Sequence, residues 1–348
     1  MYIEHIKLLC CPECKNKLEH INFESSSSAK EIHDGVLYCK ACNEWYPIEH
    51  GVADLLTGPL AYQSKLDSFW EKHKDRLKSV NLQQRKQSES NNTGNELELE
   101  QQRHSDWFAD NEEQTYTEFS EQTTWTCADE IVLEEWKDEI SDNTNILEIG
   151  CAQGRFTKYF YSQPSKIIGF DLSTKLLQTA NATYQQLKLE GKVKAEVSFM
   201  AANALAIPVQ TESFDLALCY GVLHHVPSPE DVCSEISRAL KKGGVFLGSE
   251  NNKTIFRFVF DLMMLLFPLW KEEAGPEALI SKSNIKKWLT KNSLSVKSYT
   301  YFYFPPHLIN MMGHKKALQL LKATDFVASK IPFIKDNGGL IRFKGVKD

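Results

Sequence analysis

The sequence of 348 residues has no apolar run approaching the ~20 residues that a bilayer span requires. Its longest candidate, Phe258 to Trp270, is cut by Asp261 and Pro268, which argues against a transmembrane helix. It has no charged-then-apolar leader, because Glu4, His5 and Lys7 fall where the apolar stretch of such a leader would lie, and a cytoplasmic location is expected. It has no Lys/Arg-rich block. With 40 Lys and Arg against 46 Asp and Glu, the formal net charge is −6, which disfavours nucleic-acid binding by bulk electrostatics. No internal repeat is visible, so a solenoid is excluded. No G-x-x-x-x-G-K-[ST] run is present, so a triphosphate cradle is not supported.

What remains is ordinary globular composition, 42% hydrophobic and 25% charged, at a length that suggests about two domains. The charge is unevenly spread. Residues 88–140 carry 2 Lys/Arg against 16 Asp/Glu, whereas 141–348 carry 26 against 18. Nine cysteines form an odd set, with Cys127, Cys151, Cys219 and Cys233 single, but Cys11/Cys14 and Cys39/Cys42 are both C-x₂-C. In a cytoplasmic chain that spacing reads as a metal site before it reads as disulfides. Two such knuckles can complete a tetrahedral four-thiolate shell, closed and therefore structural, most simply for zinc. A redox dithiol, an iron–sulfur site and competition from neighbouring Cys10 stay open.

Residues 1–57 form the cysteine-bearing unit, with Ser25–Ser28 as an exposed loop between the pairs and two short strands around Trp45–Leu56. Apolar spacing at Leu66, Phe69, Trp70 and Leu77 predicts a helix within 58–87. Gln83 to Gly94, polar and nearly free of apolar residues, reads as a flexible linker. The aromatics Trp107, Tyr116, Phe119 and Trp125 in an acidic surround suggest helices lying over another surface. From Asn145 short apolar runs recur at 145–150, 166–171, 196–200, 214–219 and 244–249, with further runs at 296–304 and 340–346. Helical period lies between several of them, as at Val232, Ile236, Ala239 and Leu240. Strands alternating with helices predict an α/β fold with a doubly wound, mostly parallel sheet.

The first run ends in Leu147-Glu148-Ile149-Gly150-Cys151-Ala152-Gln153-Gly154. A small-residue turn between strand and helix brings backbone N–H groups close to a ligand. The second run ends at Asp171, where a carboxylate in such a fold accepts hydrogen bonds from a ribose diol. Together these residues read as a nucleoside-binding crevice. A dinucleotide fingerprint is not met, because the turn is G-x-x-x-G with Ala152 in its middle.

These motifs, continued by Ala202-Asn203-Ala204, Ile207-Pro208, Ser213-Phe214-Asp215, Gly221–Val226 and Leu240-Lys241-Lys242-Gly243-Gly244, resemble in order those of the class I S-adenosylmethionine-dependent methyltransferases. The resemblance covers roughly residues 125–250. It implies a seven-stranded sheet and a cofactor site drawn from Glu148, Gly150, Cys151, Gln153, Gly154, Asp171, Leu172, Asn203, Ala204 and Tyr220. Ala152 stands where the family usually has glycine, and Asn203 replaces the commoner Asp that accepts the adenine amino group; an amide oxygen can still accept that bond. Methyl transfer from a sulfonium is an in-line displacement, so positioning is most of the task. A weakly acidic nucleophile also needs a base, and His224 and His225, after the fourth strand, are the candidates, with His225 slightly favoured.

The N-terminal unit, through Leu8–Cys14, Cys39, Cys42, Tyr46-Pro47-Ile48, Gly51 and Leu55-Leu56, resembles the small zinc-ribbon activator of several tRNA, rRNA and protein methyltransferases. That resemblance implies a stabilising ribbon, not a catalytic one, fused here in cis. The expected organisation is a zinc ribbon over 1–57, a helical acidic region over 58–124 and a methyltransferase domain over 125–348 with an apolar lid at about 252–290. Apolar on nearly every face, the segment Ile255–Phe267 must be covered by protein, an apolar ligand or a membrane surface, and Tyr301–Phe304 with Pro305, Pro306 and His307 could border the same pocket. The expected reaction is methylation of a small apolar or biosynthetic acceptor at oxygen. An RNA acceptor, and a non-catalytic scaffold, are the alternatives.

Overall fold

The structure is a computed structural model and describes residues 1–24, 30–85, 96–110, 123–257, 262, 279–302 and 309–348. The expected Ser25–Ser28 loop, most of the 83–94 linker and of the apolar 255–267 segment, Tyr116, Phe119, and the Tyr303–His307 stretch lie outside those residues.

The ribbon consists of four short strands, β1 (Glu19–Asn22), β2 (Gly35–Tyr38), β3 (Trp45–Glu49) and β4 (Val52–Asp54), paired antiparallel in sequence order. Helix α1 (Gln63–Ser79) follows, burying Leu66, Phe69, Trp70 and Leu77, the residues whose spacing predicted it. Two more helices, α2 (Glu96–Asp110) and α3 (Thr123–Trp136), lead into the main sheet. Its strands are β5 (Asn145–Ile149), β6 (Lys166–Asp171), β7 (Glu196–Ala201), β8 (Phe214–Tyr220), β9 (Leu240–Asn251), β10 (Leu294–Tyr301) and β11 (Leu340–Lys347). Helices α4 (Thr174–Leu189), α5 (Pro229–Ala239), α6 (Lys282–Lys291) and α7 (His314–Lys330) lie between them.

The strand order β7-β6-β5-β8-β9-β11-β10 reverses direction outward from β5, and β11 runs antiparallel to both β9 and β10. The reversal beside β5 opens a crevice at the carboxyl ends of β5 and β8, where ligands bind in sheets of this kind. Both faces of the sheet are covered, so its strands read as continuous apolar runs instead of alternating ones. Along β5, Leu147 and Ile149 enter one core with Val232, Ile236 and Leu289, while Ile146 enters the other with Trp136, Phe156 and Tyr184. Local signals set the helix ends. Ser173 caps α4 by accepting the Leu176 N–H, Pro229 begins α5, and Ser281 and Asn284 form a reciprocal cap on α6.

The ribbon is not a tethered module. Its last strand, β4, pairs parallel with β7 through Ala53–Met200 and Asp54–Ala201, so one eleven-stranded sheet runs through both parts. This covers what would otherwise be the exposed edge of β7. The contact continues where Cys10 N–H donates to the Pro208 carbonyl, Gln210 N–H donates to the Leu8 carbonyl, and the Tyr2 and Tyr184 hydroxyls meet at 2.9 Å. The described start of the polar segment is also pinned. The Trp45 indole donates to the Gln83 carbonyl, and the buried Arg85 guanidinium donates to the Trp45 and Leu56 carbonyls and pairs with Glu44. The last residues of the expected lid form α6, which buries Ile285 and Leu289 against the core.

Candidate active site

Beyond β5 the chain bends through Gly150–Gly154. Gly150, Ala152 and Gly154 all have positive φ, of 70°, 46° and 75°. A Cβ on Gly150 would lie 2.2 Å from Val222 Cγ2, so both conformation and space require glycine there. Ala152 holds the left-handed region at roughly 1–2 kcal/mol. Its N–H donates to Asp171 Oδ2 at 3.0 Å, and Ser173 N–H donates to Asp171 Oδ1 at 3.1 Å. Asp171 is thus held at the end of β6 facing the crevice. Burial raises its carboxyl above the ordinary range, opposed by those backbone donors.

The crevice, of about 370 Å³, is lined by Gly150, Asp171, Leu172, Asn203, Ala204, Tyr220, His224 and His225 among others. Four further residues named from the motif, Glu148, Cys151, Gln153 and Gly154, do not line it. Glu148 is buried behind the turn, where Thr157 Oγ1 donates to its Oε2 at 2.7 Å. Burial, with the Asp171 charge as a lesser cause, pushes its carboxyl up to about 7. The Cys151 side chain is buried against Gly169.

One wall comes from a segment the motifs did not indicate. Glu98, Gln101, His104 and Ser105 of α2 face the crevice, and Trp125 of α3 lies beside them. Helix α2 is fastened at several points: Gln102 donates to the Leu60 carbonyl, and Asp106 accepts from the Tyr62 hydroxyl and, at 2.5 Å, from Ser173 Oγ. Asn203 Nδ2 donates to Glu98 Oε1 at 2.7 Å, and Asn203 Oδ1 receives the Leu205 N–H at 2.9 Å. The oxygen expected to meet adenine therefore already serves as a local cap. Arg155, also on the wall, makes a two-point pair with buried Asp129 and lies over the rings of Trp125 and Tyr220. Tyr220 itself stacks on Phe156.

The two histidines follow β8 as expected, but their surroundings differ. His224 Nδ1 is 2.7 Å from Glu250 Oε2, and Glu250, at the end of β9, is 1% exposed. The other Glu250 oxygen accepts the Val222 and Leu223 N–H groups at 3.0 and 2.8 Å. Such a carboxylate fixes the imidazole tautomer with Nδ1 protonated and leaves Nε2 basic. The His225 ring lies against that of His224, centroids 3.9 Å apart and planes tilted by 45°. Burial, reinforced by His224, drives its imidazole down to about 3, so His225 is neutral at physiological pH. A buried acid at the end of an apolar strand was the signal available in the sequence for Glu250.

In the ribbon, the Sγ atoms of Cys11, Cys14, Cys39 and Cys42 lie within 4.8 Å of one another, with adjacent pairs at 3.4–3.6 Å. That is close to the ~3.8 Å edge of a tetrahedron with metal–sulfur bonds of about 2.3 Å. Tyr46 Oη approaches Cys11 Sγ at 3.2 Å and Asn16 Nδ2 donates to Cys14 Sγ. The Cys10 thiol turns away and donates to the Val209 carbonyl.

Residues 147–248 match the family described as a methyltransferase domain, and residues 4–51 match the Trm112p-like family. The chain is similar to a ubiquinone biosynthesis O-methyltransferase of Glaesserella parasuis, 25% identical over 51% of this chain and 78% of the relative. A protein of the same description from Burkholderia orbicola is 30% identical over 33% of this chain and 47% of its own length. A solved putative methyltransferase from Bacillus halodurans, 22% identical and covering 62% of this chain and 98% of its own, superposes with a TM-score of 0.43. The fold and the match over residues 147–248 mark that part of the chain as a methyltransferase domain. A Trm112p-like domain is fused ahead of it in the same chain.

Proposed function

We propose that the enzyme methylates a hydroxyl oxygen on a small, apolar, biosynthetic acceptor, with His224 as general base and Glu250 as its positioning residue. The pairing of a buried carboxylate with His224 at the crevice wall is the observation that supports this most. Asp171 would take the ribose hydroxyls, and the Gly150 backbone would border the cofactor at the turn. The bound cofactor supplies an electrophilic methyl group. The acceptor hydroxyl, brought in line, passes its proton to His224 Nε2, and Glu250 stabilises the imidazolium that forms. His225, held neutral, packs against that ring at a tilt without competing for the proton. Tyr220, Trp125, Leu340 and Val226 give the crevice an aromatic and apolar lining suited to such an acceptor. The similarity to O-methyltransferases of ubiquinone biosynthesis supports oxygen as the atom methylated. An RNA acceptor is disfavoured, because the charged groups on the crevice wall are Glu98, Asp171 and an Arg155 already paired with Asp129.

In the same reading the four cysteines hold one structural zinc, with Tyr46 and Asn16 supporting the thiolates, and residues 1–57, 58–124 and 125–348 act as ribbon, connecting region and catalytic domain. A peripheral membrane contact would belong to the apolar 255–267 segment; no helix among the described residues is long and apolar enough to cross a membrane. The test of the acceptor class is a tritiated-methyl assay on cell extract, separated into RNA, protein and organic-soluble fractions. Label in the organic-soluble fraction, lost with His224→Ala, is expected. Label in RNA contradicts the proposal.

A further inference from the structure

The geometry points to Glu98 of α2 as the residue that selects adenine, in place of the acid that Asn203 does not provide; this rests on the cofactor reading above. The crevice lining includes the apolar Leu172, Ala202, Ala204 and Ile207, which suit the faces of a flat base, together with the hydrogen-bonded pair Asn203 and Glu98. Asn203 is oriented away from serving the base alone: its oxygen caps Leu205 and its amide donates to Glu98. Glu98 is 8% exposed and lines the crevice, so a carboxylate stands within a largely apolar wall. A buried carboxylate is an acceptor only. It favours a base edge that donates, such as the adenine amino group, and opposes one that presents an oxygen, such as hypoxanthine. Glu98 lies outside residues 147–248 and reaches the site because α2 is held by Leu60, Tyr62 and Ser173. Base selection is thereby assigned to the segment that joins the ribbon to the catalytic sheet.

The test is calorimetry on the full chain with S-adenosylhomocysteine and S-inosylhomocysteine. Wild type should bind the adenosyl compound about ten- to a hundredfold more tightly, the range of one hydrogen bond to a charged group. In Glu98→Gln the amide oxygen can keep the Asn203 bond while its NH₂ takes the place of the second carboxylate oxygen. That variant should compress or invert the preference. Equal loss of affinity for both ligands in Glu98→Gln would overturn the assignment, because that is the mark of a helix merely loosened. Equal affinity of wild type for the two compounds would overturn it without any variant. A wild type that binds neither would remove the cofactor reading itself, and the assignment with it.

Discussion

At the scale of single residues, His224 and Glu148 are each set by one buried hydrogen-bond partner, Glu250 and Thr157 respectively. His224 gains its role from the Glu250 carboxylate. His224→Ala should lower kcat by about 10²–10⁴-fold with cofactor affinity unchanged, measured by steady-state kinetics and calorimetry. Glu250→Gln should cause a smaller fall and move the acid limb of the kcat/KM profile to lower pH, because losing the carboxylate makes the imidazole easier to deprotonate. A purely structural Glu250 would leave the position of that limb unchanged. Glu148 is buried with Thr157 as its hydrogen-bond donor, and its carboxyl is raised from 4.5 to about 7. The folded state therefore keeps a proton that the unfolded chain has lost. This contribution to stability is intact below pH 4.5 and is lost as pH rises to about 7, by at most ~1.4 kcal/mol per pH unit. Glu148→Gln should flatten that part of the pH–stability curve in denaturant titrations, and an unchanged slope would refute the shift.

At the scale of elements, the turn after β5 is the part with least tolerance. Gly150→Ala combines a left-handed penalty with a contact on Val222. It should destabilise the fold by roughly 2–5 kcal/mol, read as a lower urea midpoint, and should abolish cofactor binding. The strands of the main sheet were legible in the sequence because each is an apolar run bounded by turn residues, and seven such runs became β5 to β11. The glycine turn and Asp171 were legible because strand, small residues and acid follow one another locally. Glu98 and the β4–β7 pairing were not. Glu98 sits in a stretch so acidic that one more carboxylate carries no signal, and its partner Asn203 is 105 residues away. The pairing of Ala53 with Met200 likewise leaves no periodicity for a sequence to display. Between the two histidines the sequence reading leaned slightly to His225; the carboxylate that sets His224 apart arrives from β9, 26 residues on, and leaves no local signal.

At the scale of the whole molecule, the ribbon and the catalytic sheet share one hydrogen-bonded ladder and one core. A unit of this size buries little apolar surface by itself, so a bound metal would supply much of its folding free energy. Removing the metal with a chelator, or making Cys14→Ser, should therefore lower the melting temperature of the catalytic part as well as the ribbon, in a single transition. A catalytic domain that melts unchanged after metal loss would show that the β4–β7 contact is incidental. Metal analysis should return about one zinc per chain.

Calorimetry of the full chain with S-adenosylmethionine tests most directly whether the crevice between β5, β6 and α2 recognises an adenosyl sulfonium. One site per chain that disappears in Asp171→Ala is the predicted result; no heat at millimolar ligand, or an Asp171→Ala protein that binds as well as wild type, would contradict it.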